Sequence, residues 1–122
     1  MTDDWMGGHA APVLDTPGKR LFRTMIVMGA KTGAAFANHY RVAAWGCGTA
    51  CADGALIDTR SGQVIPIPRM NLGFEVKPDS RLLILSPFAD HETVAQRKAM
   101  AVNVLPTYYV LQGRRLEQIC TK

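Results

Sequence analysis

The residues best suited to chemistry in this chain sit together, in Trp45-Gly46-Cys47-Gly48-Thr49-Ala50-Cys51. Cys47 and Cys51 are four positions apart, beside glycines that let a chain turn tightly. Such a segment admits three chemistries. A tight fold-back brings the two Cα atoms within the ~4.4–6.8 Å that a disulfide spans, and the bond then locks the turn. A redox pair uses the same atoms. The spacing is one residue longer than Cys-x-x-Cys, however, and no helix N-terminus follows to stabilise a thiolate. A zinc site would draw on Cys47, Cys51, Cys120 and a histidine, without any standard ligand-pair spacing. The leading reading is a stapled turn, or two small residues filling one.

Catalysis by cysteine needs a base. His39 opens the strand that Cys47 closes, which separates the two by about 26 Å along a straight strand at ~3.3 Å per residue. Nothing in the sequence positions His91 nearer. Asp58 and Asp79 each precede a turn, and turn chemistry explains both. No paired carboxylates, Gly-x-Ser-x-Gly elbow or His-Glu-x-x-His helix appears. No Gly-rich phosphate loop joins a strand to a helix. The sequence therefore leans away from an enzyme, and no metal or other cofactor is expected.

Recognition is the other use of such residues. His39, Arg41 and Trp45 fall on one face of a strand. Exposed, they would form a binding surface, since Trp and Arg are enriched in hot spots. Covered by the N-terminal helix, Trp45 would be core. Tyr108 and Tyr109 fall on opposite faces of a later strand, so at least one reaches solvent. These five are the candidate binding residues, with Cys47 and Cys51 as the thiol or disulfide candidates.

The positioning elements follow from periodicity. Residues 1–16 are an irregular lead-in, and 17–122 a single domain. Thr16 caps a helix from Pro17 to about Met28, with Leu21, Met25 and Met28 at helical spacing and Phe22 and Ile26 beside them. The period then becomes two. Strands are predicted at His39–Trp45, Ala55–Thr59 and Val64–Ile67, with the turn Arg60-Ser61-Gly62-Gln63 making a hairpin of the last two. Pro66 and Pro68 confine the third strand to an edge or end it early. Phe74 and Val76 suit a short strand. Arg81–Ser86 is a continuous apolar run, the pattern of a strand buried on both faces. Asp90 is placed to cap a second helix running to about Met100. Thr107–Gln112 and Arg115–Cys120 form a closing hairpin about Gly113-Arg114. The expected fold is α+β: an N-terminal helix on an antiparallel meander of five to six strands, with a second short helix before the C-terminal hairpin.

Phe36-Ala37-Asn38-His39-Tyr40, Trp45-Gly46-Cys47-Gly48-Thr49-x-Cys51 and Ile57-Asp58-x-x-x-Gly62 together resemble a family of small, uncharacterised bacterial proteins. Asp79-Ser80-Arg81-Leu82-Leu83 and the Tyr108-Tyr109-Val110 strand fit the same pattern, which covers most of residues 18–119. Asn38 stands where that family has Gly, and Ala89–Val104 diverges. The resemblance implies a fold and carries no activity. Members of that family often have signal peptides, whereas Met1-Thr2-Asp3-Asp4-Trp5 is acidic and without an apolar block.

With 122 residues and 48% hydrophobic content, the chain suffices for one core. The net charge of +4 is scattered, only Lys19-Arg20, Arg97-Lys98 and Arg114-Arg115 being adjacent basic pairs, so nucleic acid is not the expected partner. No apolar run approaches the ~20 residues of a membrane helix. Read as written, the chain is cytoplasmic; with a leader removed, it would be periplasmic or secreted. The expected function is that of a small non-enzymatic binding protein, of inhibitor or immunity type, acting through a sheet face or edge strand. The partner is a protein or a second copy of the chain. A thiol-dependent enzyme or redox protein centred on Cys47 and Cys51 is the alternative, and a weak nucleic-acid binder a third.

Overall fold

The computed structural model describes residues 10–48, 51–89, 91–100 and 104–119. Of the expected lead-in, residues 1–9 lie outside these. Residues 10–15 have no regular structure but are anchored: Ala10 N–H donates to the Thr59 carbonyl and Val13 N–H to that of Gly62, both at 2.7 Å.

Thr16 caps the first helix as expected, accepting from the Lys19 N–H at 3.2 Å with Pro17 in the first turn. The single helix expected to Met28 is two helices, α1 (Pro17–Leu21) and α2 (Arg23–Thr32), broken at Phe22. The reason lies in what each buries. α1 buries nothing, while α2 lays Ile26, Gly29 and Ala30 on a sheet. The bend at the joint lets the Phe22 ring stack on Trp45, 5.0 Å between centroids.

The strands form two antiparallel sheets of four, where a single meander of five to six strands was expected. The first contains β1 (Ala34–Phe36), β2 (Tyr40–Gly48), β3 (Cys51–Asp58) and β4 (Val64–Met70), in that order. The second contains β5 (Phe74–Glu75), β6 (Leu82–Leu85), β7 (Thr107–Gln112) and β8 (Arg115–Ile119), also in order. Pro66 and Pro68 explain the division. They remove backbone donors from β4, so β4 is an edge and the chain leaves to start a new sheet. The hairpin about Arg60–Gln63 is present, with Ile57 opposite Val64.

The first sheet is the middle layer of three. One face packs on α2 through Ala43, Ala55, Ile57 and Val64. Its other face meets the second sheet: Phe36, Tyr40, Val42, Leu56, Ile65, Ile67 and Met70 pack with Leu83, Leu85 and Leu111. Helix and sheet approach closely at Gly29, where an added Cβ would lie 2.2 Å from the Ala43 Cβ.

Backbone bonds tie the two sheets at one end. Ala37 N–H donates to Ser80 O at 3.0 Å and Asn38 N–H to Pro78 O at 2.6 Å. Asn38 holds φ 73°, a conformation that suits Gly and Asn. The second predicted helix shrinks to α3 (Val94–Lys98). Its cap is Thr93, in a reciprocal capping box with Gln96. Asp90, expected in that role, lies outside the described residues. No helix of the described residues is long and apolar enough to cross a membrane.

Candidate binding surface

Cys47 and Cys51 are joined by a disulfide across the tip of the β2–β3 hairpin, with 5.2 Å between their Cα atoms. The strand register shifts between Gly46 and Gly48, so Gly48 rather than Cys47 stands opposite Cys51. A closed loop this short restricts the unfolded chain little, so the bond contributes at most about 2 kcal/mol and acts mainly to hold the tip. Beside it, Arg69 grips Asp53 through two hydrogen bonds of 3.0 and 3.3 Å. Cys120 lies outside the described residues. Among those described, no three His, Cys, Asp or Glu side chains converge as a metal set.

His39, Arg41 and Trp45 do share one side of the first sheet, and it is the side that faces the N-terminal helices. Trp45 packs beneath Phe22 against the helix-side core. It also lines a cleft of about 240 Å3 with Phe22, Ile26, Val64 and Ile67. Arg41 Nη1 donates to the Gly33 carbonyl at 3.0 Å, closing the end of α2. His39 Nε2 lies 3.5 Å from Asp58 Oδ1. Asp58 serves its turn, accepting from the Arg60 N–H at 2.8 Å.

Burial first, and the Asp58 charge second, raise the Tyr40 hydroxyl above its ordinary pKa. An imidazole beside a carboxylate is part of a catalytic triad, but the nearby Thr59 hydroxyl is committed to the His39 carbonyl at 2.6 Å. These contacts knit the β1–β2 and β3–β4 turns together.

The second sheet is different. β6 was expected to be buried on both faces. Leu83 and Leu85 are buried, whereas Leu82 and Ile84, on the opposite face, are only partly buried. Register carries that face across the sheet. Ile84 is opposite Tyr108, which is opposite Ile119; Leu82 is opposite Val110, which is opposite Glu117. Leu82, Ile84, Tyr108, Val110 and Ile119 thus form an apolar patch that belongs to neither buried cluster. Glu75, Glu117 and Arg115 lie on the same face and supply a charged rim.

No family model, curated protein or solved structure matches this chain.

Tyr108 and Tyr109 divide between the two faces. Tyr108 joins the open patch, and Tyr109 packs inward against the core between the sheets. Of the five candidate residues, only Tyr108 therefore lies on this patch. Leu82, Ile84, Val110 and Ile119 were not singled out by the sequence. The signal was present in the alternation of Thr107–Gln112, which assigns Tyr108 and Val110 to one face, but the uniform run of β6 concealed which of its residues join them.

A further structured segment follows β6. Arg97, 2% exposed, uses every guanidinium donor. Nε and Nη2 clasp Glu92, each at 2.9 Å. Nη1 donates to the carbonyls of Ser86 and Val104, and Nη2 also to that of Pro87. The Phe88 ring lies 5.0 Å from the guanidinium carbon. Arg97, followed by the Ala89 N–H, pulls the Glu92 carboxyl down to a pKa of about 2. With all its donors satisfied within the chain, Arg97 organises its loop rather than offering a charge to a ligand.

Proposed function

We propose that this protein is a small non-enzymatic binding domain that engages another protein through the outer face of its second sheet. The observation that carries this reading is the patch of Leu82, Ile84, Tyr108, Val110 and Ile119, which among the described residues belongs to neither buried cluster, on a sheet whose other face is core. Antiparallel sheets ordinarily turn polar residues to water on an uncovered face. A contiguous apolar patch with an aromatic at its middle and charges at its rim has the anatomy of a protein interface. An inhibitor or immunity-type role suits a domain of this size. The disulfide at the opposite sheet's hairpin tip supports a staple in preference to thiol chemistry.

The test compares wild type with Ile84→Lys and Val110→Lys. Both side chains are only partly buried and lie outside the two buried clusters, so each variant should unfold within about 1 kcal/mol of wild type. Immobilised side by side in extract from the source cells, wild type should retain a protein that both variants lose. Equal retention, or unfolding of the variants as severe as a core lesion, would remove the reading.

A further inference from the structure

The second sheet ends at β8, and the backbone geometry fixes what that edge presents. Leu111 N–H donates to the Arg81 carbonyl at 3.0 Å. Odd-numbered residues of β7 therefore turn their backbone groups toward β6, and even-numbered ones toward β8. Gln112, Val110 and Tyr108 stand opposite Arg115, Glu117 and Ile119, so those three residues of β8 point inward. Leu116 and Gln118 consequently point their N–H and C=O groups outward, at an edge that no strand of the described residues pairs with.

Gly113, at φ 62°, begins the two-residue turn that sets this parity. A second strand added to β8 must hydrogen-bond with the even-numbered residues. For two copies related by a twofold axis, the charges then choose among the registers. Leu116 against Gln118 of the second copy would oppose Glu117 with itself. Arg114 against Leu116 would oppose Arg115 with itself. Gln118 against its own counterpart would set Glu117 beside Ile119. Leu116 against its own counterpart places Arg115 of each copy opposite Glu117 of the other, making two ion pairs.

We propose that the partner of the second sheet is a second copy of this chain, joined β8 to β8 antiparallel about Leu116. This goes beyond the open-face reading above, because it uses the edge of the second sheet and not its face. The two second sheets become one of eight strands, and the two apolar patches lie on the same side of it. Within one copy, Arg115 and Glu117 already pair at 2.7 Å while remaining 78% and 43% exposed. Exchanging that contact for the same contact across the axis leaves both charges paired.

Sedimentation equilibrium over a wide concentration range tests the proposal. Wild type should show a reversible monomer–dimer equilibrium. Arg115→Glu and Glu117→Arg should each raise the dissociation constant about tenfold, because two attractive pairs become repulsive. The double swap Arg115→Glu/Glu117→Arg should restore it. As a second readout, the Leu116 and Gln118 amides should gain hydrogen-exchange protection with protein concentration, while the Glu117 amide, already bonded to β7, should not.

A wild type that stays monomeric, a dimer indifferent to the single swaps, or a double swap without rescue would each overturn the proposal. The extract comparison with Ile84→Lys, run where wild type is monomeric, separates the two readings. Retention that Ile84→Lys abolishes, in a protein that never dimerises, would end this inference and keep the open-face reading. Equal retention would end the open-face reading itself.

Discussion

Arg97 and Glu92 show how far one pair of side chains can determine a segment. A charged group this buried persists only when paired, and Arg97 has a carboxylate and three carbonyls around it. Arg97→Met would leave those acceptors without a donor. We expect it to weaken the segment around α3 by about 3 kcal/mol or more, seen as lost amide protection over Val94–Lys98. Acid should act on the same contact. Glu92 has an ordinary pKa of 4.5 and a folded one of about 2. Above about pH 4.5 it is ionised both folded and unfolded, and the pair's contribution is complete. As pH falls from there toward 2, the unfolded chain takes up the proton first, and the contribution fades. An acid titration followed by the α3 amide resonances should hold its native pattern at pH 5 and lose it between about 4.5 and 2. Loss already between pH 6 and 5 would mean that another group governs the segment. The sequence could not announce this pair: Glu92 and Arg97 are five apart, outside the helical i, i+4 pattern, within a segment expected to be one helix from Asp90 to about Met100.

At the scale of elements, local chemistry was legible and layer assignment was not. The Thr16-Pro17 helix start, the Arg60–Gln63 hairpin and the Gly113-Arg114 turn depend on a few adjacent residues, and all three are present. The common face of His39, Arg41 and Trp45 was equally readable from a period of two. Which element would cover it depends on α2, docked through contacts remote in sequence, and α2 covers Trp45. Two glycines in the N-terminal helices separate propensity from packing. Gly18 in α1 has nothing within 4 Å of an added Cβ, whereas at Gly29 that atom would lie 2.2 Å from Ala43 Cβ and 2.6 Å from its Cα. Gly18→Ala should stabilise by about 0.5–1 kcal/mol, since only backbone entropy changes. Gly29→Ala makes the same local gain and still should destabilise, by about 1–3 kcal/mol, because α2 must lift from β2. Urea unfolding of the two variants would measure both. Equal stabilisation by both would show that α2 is not held against the sheet at Gly29.

For the whole molecule, the three layers are unequally enclosed. The α+β class and antiparallel pairing followed from strand periods and short connections, but the division into two sheets did not. An apolar run such as Arg81–Ser86 reads alike whether one face or both are covered, and only the arrangement of the layers distinguishes them. That arrangement places Leu56 and Ile57 of β3 in the middle sheet, each 0% exposed, between α2 on one side and the second sheet on the other. Among the described residues, the second sheet has one face in the core and one outside both buried clusters, and its outermost strand pairs on one side only. Local opening is easiest where few buried contacts must break. Native-state hydrogen exchange should therefore find the β3 amides limited by global unfolding. The β8 amides bonded to β7 should open at markedly lower free energy in dilute protein. Equal protection of β3 and β8 at low concentration would contradict this gradient and require a cover on the second sheet within a single copy. The gradient also has a functional sense. On the binding reading proposed above, the second sheet is the least enclosed part of the fold until a partner arrives, and binding would add to its stability.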